Sequence, residues 1–162
     1  MPYHPVVEKI RTLLFERGAW FETFEHEPVR TSEEAAKLRY GYALSQGAKA
    51  LIVRGKIAGE GKKFLMIVVS GDKRFDADKL KQAFNIRDVR FATEAEVSEI
   101  TRGILPGGVP PFGGLFGLEI YADRGIFDNE KIVFNAGDRA FSIAMKSEEY
   151  RRIALPKVGD IS

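Results

Sequence analysis

Lys49 leads the run Lys49-Ala50-Leu51-Ile52-Val53, one of the most apolar stretches of the chain. An ammonium in that setting reads two ways. It can snorkel to water from a strand end, or stand at the mouth of a pocket as a fixed cation for a phosphate or a developing oxyanion. The segment Ile104–Gly114 carries four glycines (Gly107, Gly108, Gly113, Gly114) and three prolines (Pro106, Pro110, Pro111). Proline fixes φ and glycine reaches conformations closed to other residues, so the mixture specifies a rigid, unusual backbone path. Such a path can turn a barrel corner or aim several backbone N–H groups at one oxygen. Phe134-Asn135-Ala136-Gly137-Asp138-Arg139 is first of all turn chemistry. It can also set the Asn135 amide and nearby backbone groups beside a pocket. Phe24-Glu25-His26-Glu27-Pro28 places an aromatic and a histidine at a strand end, where a lone histidine is usually structural.

The remaining inventory removes most familiar mechanisms. With no cysteine, disulfides, cysteine–zinc sites and thiol nucleophiles are excluded. His4 and His26 are the only histidines, which rules out a His-rich metal site. A Ser-His-Asp triad would need one of them, and His26 has no evident serine partner along the sequence. There is no Gly-x-Ser-x-Gly elbow, no Walker loop and no Gly-x-Gly-x-x-Gly after a strand. No metal and no cofactor is expected.

The net charge of +2 is too small to point to a nucleic-acid partner. Lys62-Lys63, Lys79 with Lys81, and Arg151-Arg152 each sit among acids, as on a mixed solvated surface. At 162 residues, 44% hydrophobic and 30% charged, the chain fits one globular domain over 1–162 with a real core. Phe64–Val69 is far too short to span a bilayer and the N-terminus lacks signal-peptide character, so a cytoplasmic location without a membrane partner is the expectation.

Helical spacing of Val6, Val7, Ile10, Leu13 and Leu14 predicts a first helix stopped at Gly18. A strand follows over Trp20–Glu25, and Thr31-Ser32-Glu33-Glu34 opens a short helix as a capping box. Ala50–Val53 and Phe64–Val69 read as two strands joined by an exposed loop over Arg54–Lys63. Asp76 caps a helix holding Leu80 and Phe84, and Thr93-Glu94-Ala95-Glu96 caps another. Leu115–Tyr121, Lys131–Phe134 and Arg139–Lys146 are candidate strands, and Ser147 caps a last helix through Ile153. Interleaved strands and helices with hairpins predict a mixed α/β fold and not an all-parallel sheet.

In this order the segments resemble the YbaK/ProX family, free-standing relatives of the editing domain inserted in bacterial prolyl-tRNA synthetases. The resemblance runs through Glu25-His26-Glu27-Pro28 with Thr31–Ala36, Lys49–Val53, Ser70-Gly71-Asp72 to Leu80, Gly107–Gly113 and Asn135–Arg139. It implies a curved, mixed, largely antiparallel central sheet flanked by helices. It also implies deacylation of mischarged tRNA, commonly alanine or cysteine on tRNA for proline. By similarity Lys49, Gly107 and Gly108 take the catalytic positions, Lys49 as an anchor and the loop backbone as a clamp on the carbonyl or oxyanion. Phe24, His26, Thr31, Val109, Pro110, Pro111, Asn135, Gly137 and Asp138 take substrate-binding positions. A ribose hydroxyl of the substrate would help to activate water, so no protein nucleophile is required. The acceptor end of mischarged tRNA is the implied partner, and a prolyl-tRNA synthetase could lend tRNA specificity. Pro110 stands where many relatives carry serine, and Phe112 where they carry a smaller aliphatic residue. Both departures would bear on which amino acid is accepted. A non-catalytic module for the tRNA acceptor end or a synthetase, and a site for a small free ester or nucleotide, are the competing readings.

Overall fold

The computed structural model describes residues 3–29, 31–39 and 41–162. Helix α1, Val6–Glu16, buries Val6, Val7, Ile10 and Leu14, and Gly18 follows at φ 69°. Strand β1 is Phe21–Glu25, and α2, Ser32–Leu38, starts where the Thr31 hydroxyl accepts the Glu34 N–H. Strands β2, Ala48–Ile57, and β3, Gly61–Ser70, pair antiparallel over their whole length. The expected long loop over Arg54–Lys63 therefore shrinks to a tight turn at Ala58–Glu60. Alternating Val53, Gly55 and Ile57 are buried by the layer above them, so the strand continues through its charged positions.

Helix α3, Ala77–Phe84, is capped by Asp76, and α4, Glu94–Thr101, by the reciprocal Thr93–Glu96 box. Between them lies β4, Ile86–Phe91, a strand that the apolar pattern does not disclose because Arg87, Asp88 and Arg90 interrupt it with exposed charge. The expected strand over Leu115–Tyr121 begins only at Ile120. Gly113–Phe116 instead forms a short 3-10 turn closed by Gly117 at φ 71°, leading to β5, Ile120–Asp123. Strands β6, Lys131–Asp138, and β7, Phe141–Lys146, make the last hairpin, followed by α5, Ser147–Ala154, and β8, Lys157–Gly159. Lys146, not Ser147, occupies the cap position of α5, since the Ser147 hydroxyl donates to the Asn129 carbonyl.

The class is mixed α/β as expected, with the strands divided between two sheets. One has the order β1-β7-β6 and is antiparallel; the other has the order β4-β2-β3-β5-β8, with β5 and β8 added in parallel. Ala48, Ala50, Ile52, Met66 and Val68 point from the larger sheet into the main core with Phe134, Ile143 and Tyr150. The odd-numbered Val53, Leu65, Ile67 and Val69 point the other way, toward Leu80 of α3. This period of two on a doubly covered sheet makes β3 an almost continuous buried run. Strand β4 pairs with β2 only over Val53–Ile57, with one further bond from Ala92 to Ile52. The first half of β2 is left at an edge, and the cavity opens there. Among the described residues no helix is long and apolar enough to cross a membrane.

Candidate active site

The glycine-proline loop is shaped locally by its own residues. Gly108 N–H donates to the Leu105 carbonyl at 2.9 Å, closing a four-residue turn with Pro106 second and Gly107 third, at φ 90°. Proline at the second position and a positive φ at the third are what a type II turn requires. The next link comes from β6 and β7. The carbonyl of Pro106 accepts from the Arg139 guanidinium, that of Gly107 from Asn135 Nδ2 at 2.7 Å, and that of Gly108 from Gly137 N–H at 2.8 Å. All three carbonyls are thus drawn toward the Asn135–Arg139 segment. The register shift in the β6–β7 ladder between Asn135 and Asp138 is what re-aims this strand end at the loop.

With the carbonyls held, the N–H groups of Gly107 and Val109 keep no acceptor among the described residues. Both residues line a cavity of about 330 Å³ together with Lys49, Thr31, Ser32, Asn135, Arg39 and Arg139. This size lies at the small end of the range for ligand sites. Lys49 is half-buried, and burial, followed by the nearby Arg74, pulls its pKa below the ordinary 10.5, while Glu33 and Asp72 pull it upward. A lysine with its charge partly stripped of water is suited to holding an anionic oxygen.

The expected residues fall into three groups. Lys49, Thr31, Gly107, Val109 and Asn135 converge on the cavity. Gly108, Gly137 and Asp138 line an adjoining cavity of about 390 Å³ behind the loop, which Arg139 also touches. Gly108 N–H, expected among the catalytic groups, is occupied by Leu105, and among the loop residues that line the cavity Val109 supplies the second free N–H. The third group is set apart. Phe24 packs edge-on against Tyr42, and Pro110 and Pro111 are buried, Pro111 accepting a bond from Tyr150. Phe112 is also turned into the core, against Phe134 and Tyr150, so its departure from the family pattern does not face the cavity.

His26 does find a serine. Its Nε2 lies 2.8 Å from Ser142 Oγ, across a sequence separation that no local motif reveals. Ser142 is wholly buried and outside the cavity lining, and His26 Nδ1 meets the Glu27 carbonyl at 2.8 Å and not a carboxylate. The pair is therefore a structural support, buried at its serine end, and not a nucleophile with its base. Arg39, Ser142 and Arg139 were not singled out as site residues from the sequence. Arg39 stands among charged and aromatic neighbours with nothing in its spacing to mark it; the fold buries it.

The chain matches the model of the aminoacyl-tRNA editing domain over residues 26–153. It belongs to that family, which makes its class that of the editing hydrolases. It is 34% identical over 153 residues to the multifunctional Ser/Thr-tRNA deacylase ProXp-y of Escherichia coli K12, covering 93% of this chain and 89% of the relative. It is 31% identical over 134 residues to a proline–tRNA ligase of Stenotrophomonas maltophilia, covering 82% of this chain but 23% of the ligase. A solved structure described as a candidate trans-editing enzyme for prolyl tRNA synthetase superposes with a TM-score of 0.81 at 26% identity, covering 99% of both chains.

Proposed function

We propose that this protein hydrolyses the ester of a mischarged aminoacyl-tRNA in trans, with the acceptor end entering the cavity at the β2 edge. The observation that carries the reading is the convergence of Lys49 with the Gly107 and Val109 backbone on one cavity. An aminoacyl ester is already activated, so its hydrolysis needs a positioned carbonyl, a water and stabilisation of the tetrahedral oxyanion. The free N–H groups of the loop supply donors for that oxygen, and Lys49 anchors the acceptor end. A ribose hydroxyl of the substrate assists the water, in keeping with the family resemblance, and the sealed Ser142 stays out of the bond-making. Water attacks the carbonyl carbon and the ester C–O bond breaks; one of the water's protons goes to the leaving ribose oxygen and the other to solvent, so the amino acid leaves with a free carboxylate.

The accepted amino acid is small. A cavity of about 330 Å³ must hold it alongside part of the terminal ribose, and exclusion by size is the logic of a sieve. Alanine and cysteine on tRNA for proline fit that size. The hydroxyls of Thr31 and Ser32 and the amide of Asn135 give the cavity a polar lining, which favours serine and threonine as well, the residues in the name of the Escherichia coli relative. A prolyl-tRNA synthetase is the candidate partner for delivering the tRNA.

The test is a deacylation panel of alanyl-, cysteinyl-, seryl- and threonyl-tRNA with the intact protein and with Lys49→Ala. Turnover of at least one, abolished in the variant while its melting curve is kept, is expected. Salt-dependent binding with no turnover across the panel would instead identify a non-catalytic acceptor-end module.

A further inference from the structure

Among the described residues, nothing matches the positive charge of Arg39. The residue ends α2, is 6% exposed, and lines the same cavity as Lys49. Its Nε donates to Ser142 Oγ at 2.9 Å and its Nη2 to Asn135 Oδ1 at 2.9 Å. Both acceptors are neutral, and among the described residues no carboxylate lies within ion-pair distance. Burial lowers its pKa to about 10, so it stays charged at neutral pH. A buried charge without a counter-charge is unfavourable, and apolar replacements of such groups are often the more stable choice. Its place at a cavity wall is where a ligand could supply the missing charge.

The surrounding hydrogen bonds aim it. The Glu27 carbonyl can only accept, so His26 Nδ1 carries the proton, and the single Ser142 hydroxyl hydrogen is shared between His26 Nε2 at 2.8 Å and Asn135 Oδ1 at 3.1 Å. That sharing leaves the Ser142 lone pairs facing Arg39 Nε. Asn135 accepts from Nη2 with its oxygen and gives its Nδ2 hydrogen to Gly107, so the guanidinium and the loop are tied through one amide. Two of the three guanidinium nitrogens are thereby fixed. Nη1 has no acceptor among the described residues and stands 3.8 Å from where a Cβ on Gly47, another cavity-lining residue, would be. Every fully sealed side-chain nitrogen or oxygen of the described residues has a partner, so the unpartnered Nη1 must retain an opening.

Taking the acceptor-end reading as its basis, we infer that Arg39 is the second cation of this cavity and that, with Lys49, it grips a phosphodiester phosphate of the terminal nucleotides. His26 and Ser142 are positioning residues for it. The shared chemistry is an anionic oxygen, which could come from a backbone phosphate or from the tetrahedral oxyanion. A phosphate is favoured because its charge persists for as long as the ligand is bound, matching a cation that is buried throughout.

The experiment compares binding of a deacylated RNA minihelix ending in CCA with binding of the same minihelix lacking those three nucleotides, over a salt series. Arg39→Gln should weaken the CCA-dependent binding about tenfold and lower the salt slope by about one. Arg39→Lys, which keeps the charge but not the fork, should restore the slope. In deacylation the Gln variant should raise KM and change kcat less than about threefold, the signature of binding shared by ground and transition states. Loss of kcat with CCA binding unchanged would assign the charge to the oxyanion and overturn the phosphate; no change in either would overturn the cation role altogether. If Arg39→Gln loses its cooperative melt, Ser142→Ala carries the test. It should weaken CCA binding with the salt slope intact, and unchanged binding would sink the proposal. None of the binding arms needs turnover, so an Arg39-dependent CCA affinity in a protein inactive on every aminoacyl-tRNA would uphold this inference while removing the deacylase reading.

Discussion

Asn135 Nδ2 donates to the carbonyl oxygen of Gly107 at 2.7 Å, so a side chain of β6 holds the middle of the glycine-proline turn. The turn sets its own φ angles, but its orientation against the cavity depends on that bond and on those from Arg139 and Gly137. Asn135→Ala should leave the fold intact and lower kcat/KM for the accepted aminoacyl-tRNA by up to about 100-fold, the scale of a misplacement near the reacting atoms. Asn135→Asp should be worse. Its carboxylate would face the Gly107 carbonyl oxygen and pair with Arg39, cancelling the cavity's charge. Single-turnover deacylation of both variants checks this, and Asn135→Asp outperforming Asn135→Ala would contradict it.

Lys49 supplies the second test. Lys49→Ala should cost about 100-fold or more in kcat/KM, because without its anchor the acceptor end no longer holds the ester carbonyl against the loop. The pH dependence has a defined sign. The site needs the charged lysine, whose pKa lies below the ordinary 10.5, so activity should be full on the acid side of that value and fall as pH rises through it. Lys49→Arg should keep part of the activity and move the alkaline limb upward, because a guanidinium holds its proton to higher pH than an ammonium in the same place. The measurement is kcat/KM against pH with the spontaneous base hydrolysis of the ester subtracted; a limb unmoved by Lys49→Arg would assign the titration to another group.

Gly137 tests the loop support from the backbone side. It sits at φ 110°, and a Cβ there would stand 2.0 Å from Val6 Cγ1 of α1. Its N–H also holds the Gly108 carbonyl. Gly137→Ala combines a disfavoured backbone angle with overpacking, together about 2–6 kcal/mol. The expected result is a strongly lowered melting temperature or insoluble expression, read by thermal denaturation. A native-like melt would show that α1 shifts freely against β6.

These relationships explain what the sequence could and could not disclose. Lys49 and the loop were visible because each broke a local pattern, a charge ahead of an apolar strand and prolines mixed with glycines. The helix caps at Thr31 and Thr93 were visible because their partners lie three residues away, although only Thr93 completes the reciprocal box and Thr31 makes the single bond from Glu34 N–H. The His26–Ser142–Arg39–Asn135 chain was not, because its members are brought together from β1, β7, α2 and β6 across long stretches of chain. Strand β4 was hidden for a different reason, since only its Ile86 is fully buried and its exposed face carries charge. The mixed class followed from the order of apolar segments; the division into two sheets depends on which edges meet.

Phe112 shows how a residue beside a site can belong to the core. From the sequence, its replacement of a smaller aliphatic residue bears on the amino acid accepted. In the fold its ring is 3% exposed and packs edge-on against Phe134 and Tyr150, at centroid distances of 5.6 and 5.4 Å. The Tyr150 hydroxyl beside it donates to the Pro111 carbonyl at 2.7 Å. Phe112→Leu should therefore cost about 1–2 kcal/mol of stability, and Phe112→Ala about 3–5 kcal/mol. Tyr150→Phe should cost about 1–3 kcal/mol, because it strands a buried carbonyl. On a domain of this size each kcal/mol lowers the melting temperature by about 2–4 °C. The ratio of kcat/KM values between alanyl-, seryl- and threonyl-tRNA should stay within about threefold of the parent in Phe112→Leu, since a packing residue acts on all substrates alike. A change of preference with the melting temperature unmoved would return Phe112 to the specificity pocket, and would require the loop to reorganise when the acceptor end enters.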